Sequence, residues 1–331
     1  MKGTFSISMQ NAGCIKGLLC VGILLHHLAQ RTQLAFLQPL CAMGALFVAG
    51  FFFLSGYGVK TKLNQKGPAY WKGFMRRHIL KIALPYAAIT LLYALCYLPI
   101  GKGASLASIL HSLVSGDPFV PFSWYALCIP LLYTAFAASF RPAASPKAGI
   151  LRFTLLLLGY ILICLTLGYG EWWYLSCPAF LLGILYADGK GARVLLLALA
   201  ALPLCAAALL AAGLRSAHPA GPALLKLCKM AGICAVSAAA FSLFALFPLR
   251  HRALSWLGER SLYFYLLQGL PINLLRNQRF YLSSDLLFSA LCILLTIGLA
   301  ALAYRAAKAL EHCCTALTSL RYTLPEPPPQ S

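Results

Sequence analysis

The sequence predicts an all-α protein, a polytopic transmembrane helical bundle of about ten helices, and three observations lead there. Hydrophobic residues are 61% of the 331 and charged residues 10%, whereas soluble domains hold roughly 45–50% and about 25%. The apolar residues come in blocks of about twenty, the helix length that crosses about 30 Å of hydrocarbon. The cations gather in short joints between those blocks, where lipid headgroups meet water. Together these exclude a soluble fold.

Taken in order, the blocks cover residues 13–30, 38–59, 79–99, 119–140, 150–169, 172–187, 193–213, 228–248, 256–275 and 285–309. The first follows Lys2 and Lys16 in the manner of a secretory signal. It ends, however, in His26 and His27 instead of a small-x-small cleavage site, so it stays in the bundle. The second closes on Ser55, Gly56 and Gly58, and the third opens on a basic stretch ahead of Pro85. Lys102 to Gly116 is too polar to span, and lies along the membrane surface or caps the bundle. Residues 1–312 read as one membrane domain and 313–331 as a short tail, disordered from Leu324, where the chain ends in PEPPPQS.

The cations set the orientation. With the N-terminus inside, 20 of the 27 Lys and Arg fall inside. The other seven, Arg31, Lys102, Arg215, Lys226, Lys229, Arg276 and Arg279, fall outside. A multi-pass cell-membrane protein with both termini cytoplasmic is the expectation. The net charge of +20 reflects only seven acidic residues as much as abundant bases. Cations placed beside headgroups leave no wet basic face for nucleic acid, so no such partner is expected; the lipid bilayer is.

The 13 Cys lie mostly in or beside apolar runs, with no Cys-x-x-Cys and no His at ligand spacing, so they read as small packing residues and no metal site is expected. Cys313 and Cys314 follow the last block, as unmodified thiols or as a juxtamembrane palmitoylation pair. Phosphate-loop and nucleophile-elbow patterns are missing, which leaves ATP hydrolysis and a serine hydrolase without support.

The informative residues are ionisable groups inside apolar blocks, each of which costs several kcal/mol unless it faces protein or water. Lys16 and His27 are eleven residues apart, which returns to within about 20° of one helix face and climbs roughly 16 Å. One reading has Lys16 snorkelling to headgroups and His27 bonding a neighbouring helix. The other makes a desolvated, neutral His27 a general base. Ser55 and the glycines beside it permit close helix approach and also leave room for a slender ligand. Arg76, Arg77 and Lys81 satisfy the positive-inside pattern and equally suit a polyphosphate. Trp124, Tyr125, Glu171 and Trp172 fall near outer helix ends, where aromatic belts are routine, and Asp117 and Glu171 read as exposed carboxylates. Gln268 reads as a buried amide bonding between helices.

Set in order, these segments resemble acyltransferase family 3 of integral membrane acyltransferases, from the first helix to about Leu275. Lys16 and His27 in IKGLLCVGILLHH match the family's basic residue, ten-residue gap and histidine, with Lys where many members have Arg. FFFLSGYG is similar to its second-helix Phe-rich Ser-Gly segment, and MRRHILKIALPY to the basic stretch that follows. SWYALCIPLLY, FLLGILYAD and LGERSLYFYLLQGLPI resemble its middle and late helices, except that Gln268 stands where many members carry His; Gln keeps hydrogen bonding but not proton transfer.

The resemblance implies transfer of an acyl group, commonly acetyl, from cytoplasmic acyl-CoA to a hydroxyl of an extracytoplasmic or membrane-linked carbohydrate. No bound cofactor is expected, with acyl-CoA as co-substrate. Arg76, Arg77, Lys81 and Lys16 would hold the CoA phosphates. His27 would act as base or acyl carrier, and Ser55 or Tyr125 would steady the oxyanion. The competing class is a transporter or flippase for a glycan or lipid-linked intermediate, in which His27 and Lys16 line a path and no bond changes.

Overall fold

Ser8 opens the first helix by accepting a hydrogen bond from the Asn11 amide at 3.2 Å, and the apolar run behind it carries α1 from Met9 to Ala29. A computed structural model describes the chain over residues 6–197, 200, 201, 203, 207 and 221–323. The helices that follow are α2 (Gly44–Lys66), α3 (Lys81–Tyr97), α4 (Leu106–Ser112), α5 (Trp124–Phe140), α6 (Pro146–Thr166), α7 (Pro178–Leu185), α8 (Gly221–Leu246), α9 (Arg252–Glu259), α10 (Ser261–Leu267), α11 (Gly269–Leu275) and α12 (Asp285–Thr323). No strand is present among the described residues.

Six helices there are long and apolar enough to cross a membrane: Met9–Ala29, Gly44–Trp71, Arg76–Ile100, Pro146–Thr166, Leu225–Leu246 and Asp285–Cys313; α5, of 17 residues, is shorter. The expected ten are not reached among the described residues, and the differences there have local causes. Residues 172–187 form a helical turn at Glu171–Trp173 and then the eight-residue α7 behind Pro178. Residues 256–275 are broken at Arg260 and Gln268 into α9, α10 and α11. The block expected to start at 119 becomes helical only at Trp124, after Pro118 and Pro121, which lack amide donors and disfavour helix in the residue before them. The expected helix at 193–213 lies largely outside the described residues, as does the tail from Leu324. Helix α12 runs through residue 313 without a break, so the expected boundary there is not a boundary of secondary structure.

Close helix approach fixes the core. On α2, a Cβ at Gly56 would collide with the Phe180 carbonyl of α7, and one at Gly183 of α7 would collide with the Phe53 carbonyl. The sequence expectation for Gly56 holds, while Gly58 has open space around it. Asn11, almost fully buried, donates from Nδ2 to the Phe244 carbonyl at 2.8 Å and accepts from the Leu249 amide at 3.0 Å, tying α1 to the end of α8.

The bundle has two ends, here called near, where α1 begins, and far, where it finishes. Lys60 pairs with Asp188 at 2.6 Å at the near end, both side chains mostly buried. Arg276 pairs with Asp285 at 2.5 Å at the far end and donates to the carbonyls of Arg31 and Leu282. Residues that the charge pattern assigns to one side of a membrane thus meet one another at one end. Glu171, expected as an exposed loop carboxylate, is partly exposed and pairs with Lys229 at 3.3 Å. Cys128 and Cys177 bring their sulfurs to 3.5 Å in the core, beneath the Tyr160 hydroxyl, so these cysteines pack as expected.

Candidate functional site

A cavity of about 210 Å³ opens at the near end, and Lys16, Arg77 and Lys81 converge on it with no acidic residue in its lining. A π-helical turn, Arg76–Leu80, precedes α3, and Pro85 sits inside that helix. Arg77 donates to the carbonyls of Lys72 and Tyr70, both at 2.6 Å; Arg76 and Arg77 are both exposed, but only Arg77 lines the cavity. His78 also reaches the cavity, its Nε2 2.8 Å from the Tyr70 hydroxyl. Deeper in, the Ser55 and Tyr125 hydroxyls face each other at 3.2 Å. An uncompensated cluster of cations above an apolar, hydroxyl-bearing floor suits a ligand with an anionic head and a thin, mostly apolar arm.

His27 lies elsewhere. Two residues from the end of α1, it lines a second cavity of about 390 Å³ at the far end, with Gln30, Asp117, Trp124 and Trp172. For an uncharged His26, the hydrogen bonds around His27 fit one tautomer. The Leu40 carbonyl can only accept, so His26 Nδ1, 2.9 Å away, carries a hydrogen. With His26 uncharged, its Nε2 accepts from the Gln30 amide nitrogen at 3.3 Å. The Gln30 oxygen is then left to accept from His27 Nδ1, also at 3.3 Å. His27 Nε2 keeps its lone pair, the arrangement a general base needs.

One residue is common to both linings, Tyr265 of α10. Its hydroxyl donates to the Phe122 carbonyl and accepts from the Tyr125 amide at 3.2 Å. Phe122 has φ of 64°, the one positive value outside glycine among the described residues. Such a backbone costs a bulky residue about 1–3 kcal/mol and persists only when its surroundings hold it. Here the Tyr265 hydroxyl holds the carbonyl, and the Phe122 ring stacks on His27 with centroids 3.8 Å apart.

Of the residues expected from sequence, Lys16, Ser55, Arg77, Lys81 and Tyr125 come together in the near cavity, His27 stands in the far one, and Arg76 joins neither. The stripe from Lys16 to His27 is therefore divided between two cavities instead of lining one. Trp124 and Trp172, expected as belt residues, line the far cavity, and Asp117 joins them. Gln268 is buried, but its amide donates to the Tyr265 carbonyl of the preceding helix turn at 3.1 Å, and its oxygen has no partner among the described residues; it makes no bond between distant helices there. Sequence reasoning missed Gln30, His78, Phe122 and Tyr265. Gln30 had a local signal, since the third residue after a helical histidine lies on its face; the other three had none. Among the described residues, no cluster of three or more His, Cys, Asp or Glu is placed to hold a metal ion.

No curated protein and no solved structure matches the chain. The acyltransferase family 3 model, described as an acyltransferase domain, matches residues 11–305. That match spans both cavities, α1 with Lys16 and His27, and the α10 tyrosine between them, and it covers most of the chain; the protein belongs to this family of membrane acyltransferases.

Proposed function

We propose that this protein moves an acyl group, acetyl in the first instance, from cytoplasmic acyl-CoA to a hydroxyl of an extracytoplasmic or membrane-linked carbohydrate. The observation that carries the reading is the pairing of a near cavity that gathers Lys16, Arg77 and Lys81 without any carboxylate with a far cavity lined by His27. In this reading the near end faces the cytoplasm of the cell membrane, in keeping with the cation distribution. Lys16, Arg77 and Lys81 neutralise the CoA phosphates, and the arm carries the thioester inward to the Ser55 and Tyr125 hydroxyls. Two tryptophan faces, a carboxylate and an amide around His27 suit a hydroxylated ring, apolar on its faces and polar at its edges.

The reaction follows from these placements. His27 Nε2 takes the proton of the acceptor hydroxyl as its oxygen attacks the thioester carbonyl. The hydroxyls of Ser55 and Tyr125 donate to the oxyanion as it forms. Collapse of the tetrahedral intermediate breaks the carbon–sulfur bond, and the imidazolium returns its proton to the departing thiolate, giving ester and free CoA. Holding donor and acceptor on opposite sides spares the cell from exporting CoA.

Two measurements test this. Membranes carrying the protein should transfer label from acetyl-CoA to cell-envelope glycan, seen as an acetyl-sized mass increase that is lost in His27→Ala. Undiminished transfer by that variant would remove the assigned role of His27. Movement of acceptor across the membrane without any acylation would replace the transferase reading with a carrier.

A further inference from the structure

We infer that Tyr265 is a positioning residue that keeps the donor and acceptor cavities apart, and that the acyl arm passes only when its hydroxyl leaves the Phe122 carbonyl. This rests on the donor reading above. Tyr265 is the residue shared by the two linings, it is 6% exposed, and its hydroxyl is engaged on both sides, by Phe122 and by the Tyr125 amide. Of the residues around the two cavities, it is the one that both a thioester anchored at Lys16, Arg77 and Lys81 and an acceptor beside His27 would meet.

The partner it holds is the strained one. Phe122 keeps a left-handed backbone and lays its ring on His27, so the same hydrogen bond that closes the partition also covers one imidazole face. Release of the hydroxyl lets Phe122 relax toward an ordinary backbone, which draws its ring away and uncovers the base as the arm arrives. Opening thus couples donor arrival to exposure of His27, and an empty donor site leaves the base capped and water separated from the route by which the thioester enters. Strain held at one residue by one bond is suited to such a two-state element.

The Tyr125 amide reports on this directly, because its acceptor is the Tyr265 hydroxyl. Hydrogen exchange at that amide is measured in purified full-length protein with no ligand, with adenosine 3′,5′-bisphosphate and with acetyl-CoA, alongside equilibrium binding of labelled acetyl-CoA. Adenosine 3′,5′-bisphosphate presents phosphates without an arm and should leave exchange slow. Acetyl-CoA should speed it at least about tenfold, as local opening does when a protecting bond is released. Tyr265→Phe should exchange fast without ligand and change little when acetyl-CoA is added. Equal exchange in all three wild-type states, or equal acceleration by both ligands, overturns the partition while acetyl-CoA binding keeps the donor reading intact. Absence of acetyl-CoA binding overturns the donor reading and the partition with it. The wild-type arm decides the matter even if the variant does not fold.

Discussion

The near and far cavities differ in what holds them together. The near one takes Lys16 from α1, Ser55 from α2, and Arg77 and Lys81 from the turn that begins the third span, three cations that work by charge and reach. The far one depends on single contacts: a carbonyl fixing His26, an amide fixing His27, and a strained phenylalanine stacked on the imidazole. Charge recognition tolerates displacement of an ångström because Coulomb attraction falls slowly with distance. Proton transfer does not, since the base must lie within hydrogen-bond reach of the hydroxyl. Mutations at the two ends should therefore fail in different ways, the near end in donor KM and the far end in turnover.

The sharpest break in that comparison is His27→Ala, which should lower acyl transfer by about 10²–10⁴-fold while leaving equilibrium binding of acetyl-CoA unchanged. A large loss of donor binding would mean that the two cavities are not separate in function. Next comes the pair Arg77→Ala with Lys81→Ala. Each charge-assisted contact is worth about 1.5–3 kcal/mol, so donor KM should rise roughly 10- to 100-fold per site with little change in kcat. Steady-state kinetics against acetyl-CoA separate the two parameters, and a fall in kcat alone would contradict the assignment. Gln30→Leu removes the group that sets the His27 tautomer and should reduce kcat about 5- to 10-fold, in line with one net hydrogen bond, at unaltered donor KM. The smallest change is expected for Arg76→Ala, less than about twofold in donor KM because its side chain does not line the cavity and its charge acts through screened solvent; a loss matching that of Arg77→Ala would place Arg76 in the cavity that its side chain does not line.

The first helix was readable in detail because a 3.6-residue period converts spacing directly into a face. Lys16 and His27 share one, and the cations after α2 announce a charged end. The broken segments were not readable. Residues 256–275 are as apolar as a single span requires, and hydropathy does not register the interruptions at Arg260 and Gln268 that orient Tyr265. Nor does it separate Arg76 from Arg77, neighbours with the same side chain; the one turned into the cavity is the one whose guanidinium meets two backbone carbonyls.

Composition and periodicity determined that this chain is a helical membrane protein, with an imidazole and a run of cations carried at fixed places along their helices. Those properties are local, set by the cost of polar groups in hydrocarbon and by helix geometry, and a linear sequence states them. The placing of Lys16 and His27 in separate cavities, the hydrogen bonds around His27 and the place of Tyr265 between the two linings were decided by tertiary structure. Each depends on residues far apart in the chain, such as Phe122 with Tyr265 and His26 with the Leu40 carbonyl, meeting in three dimensions. Only packing brings them within bonding distance.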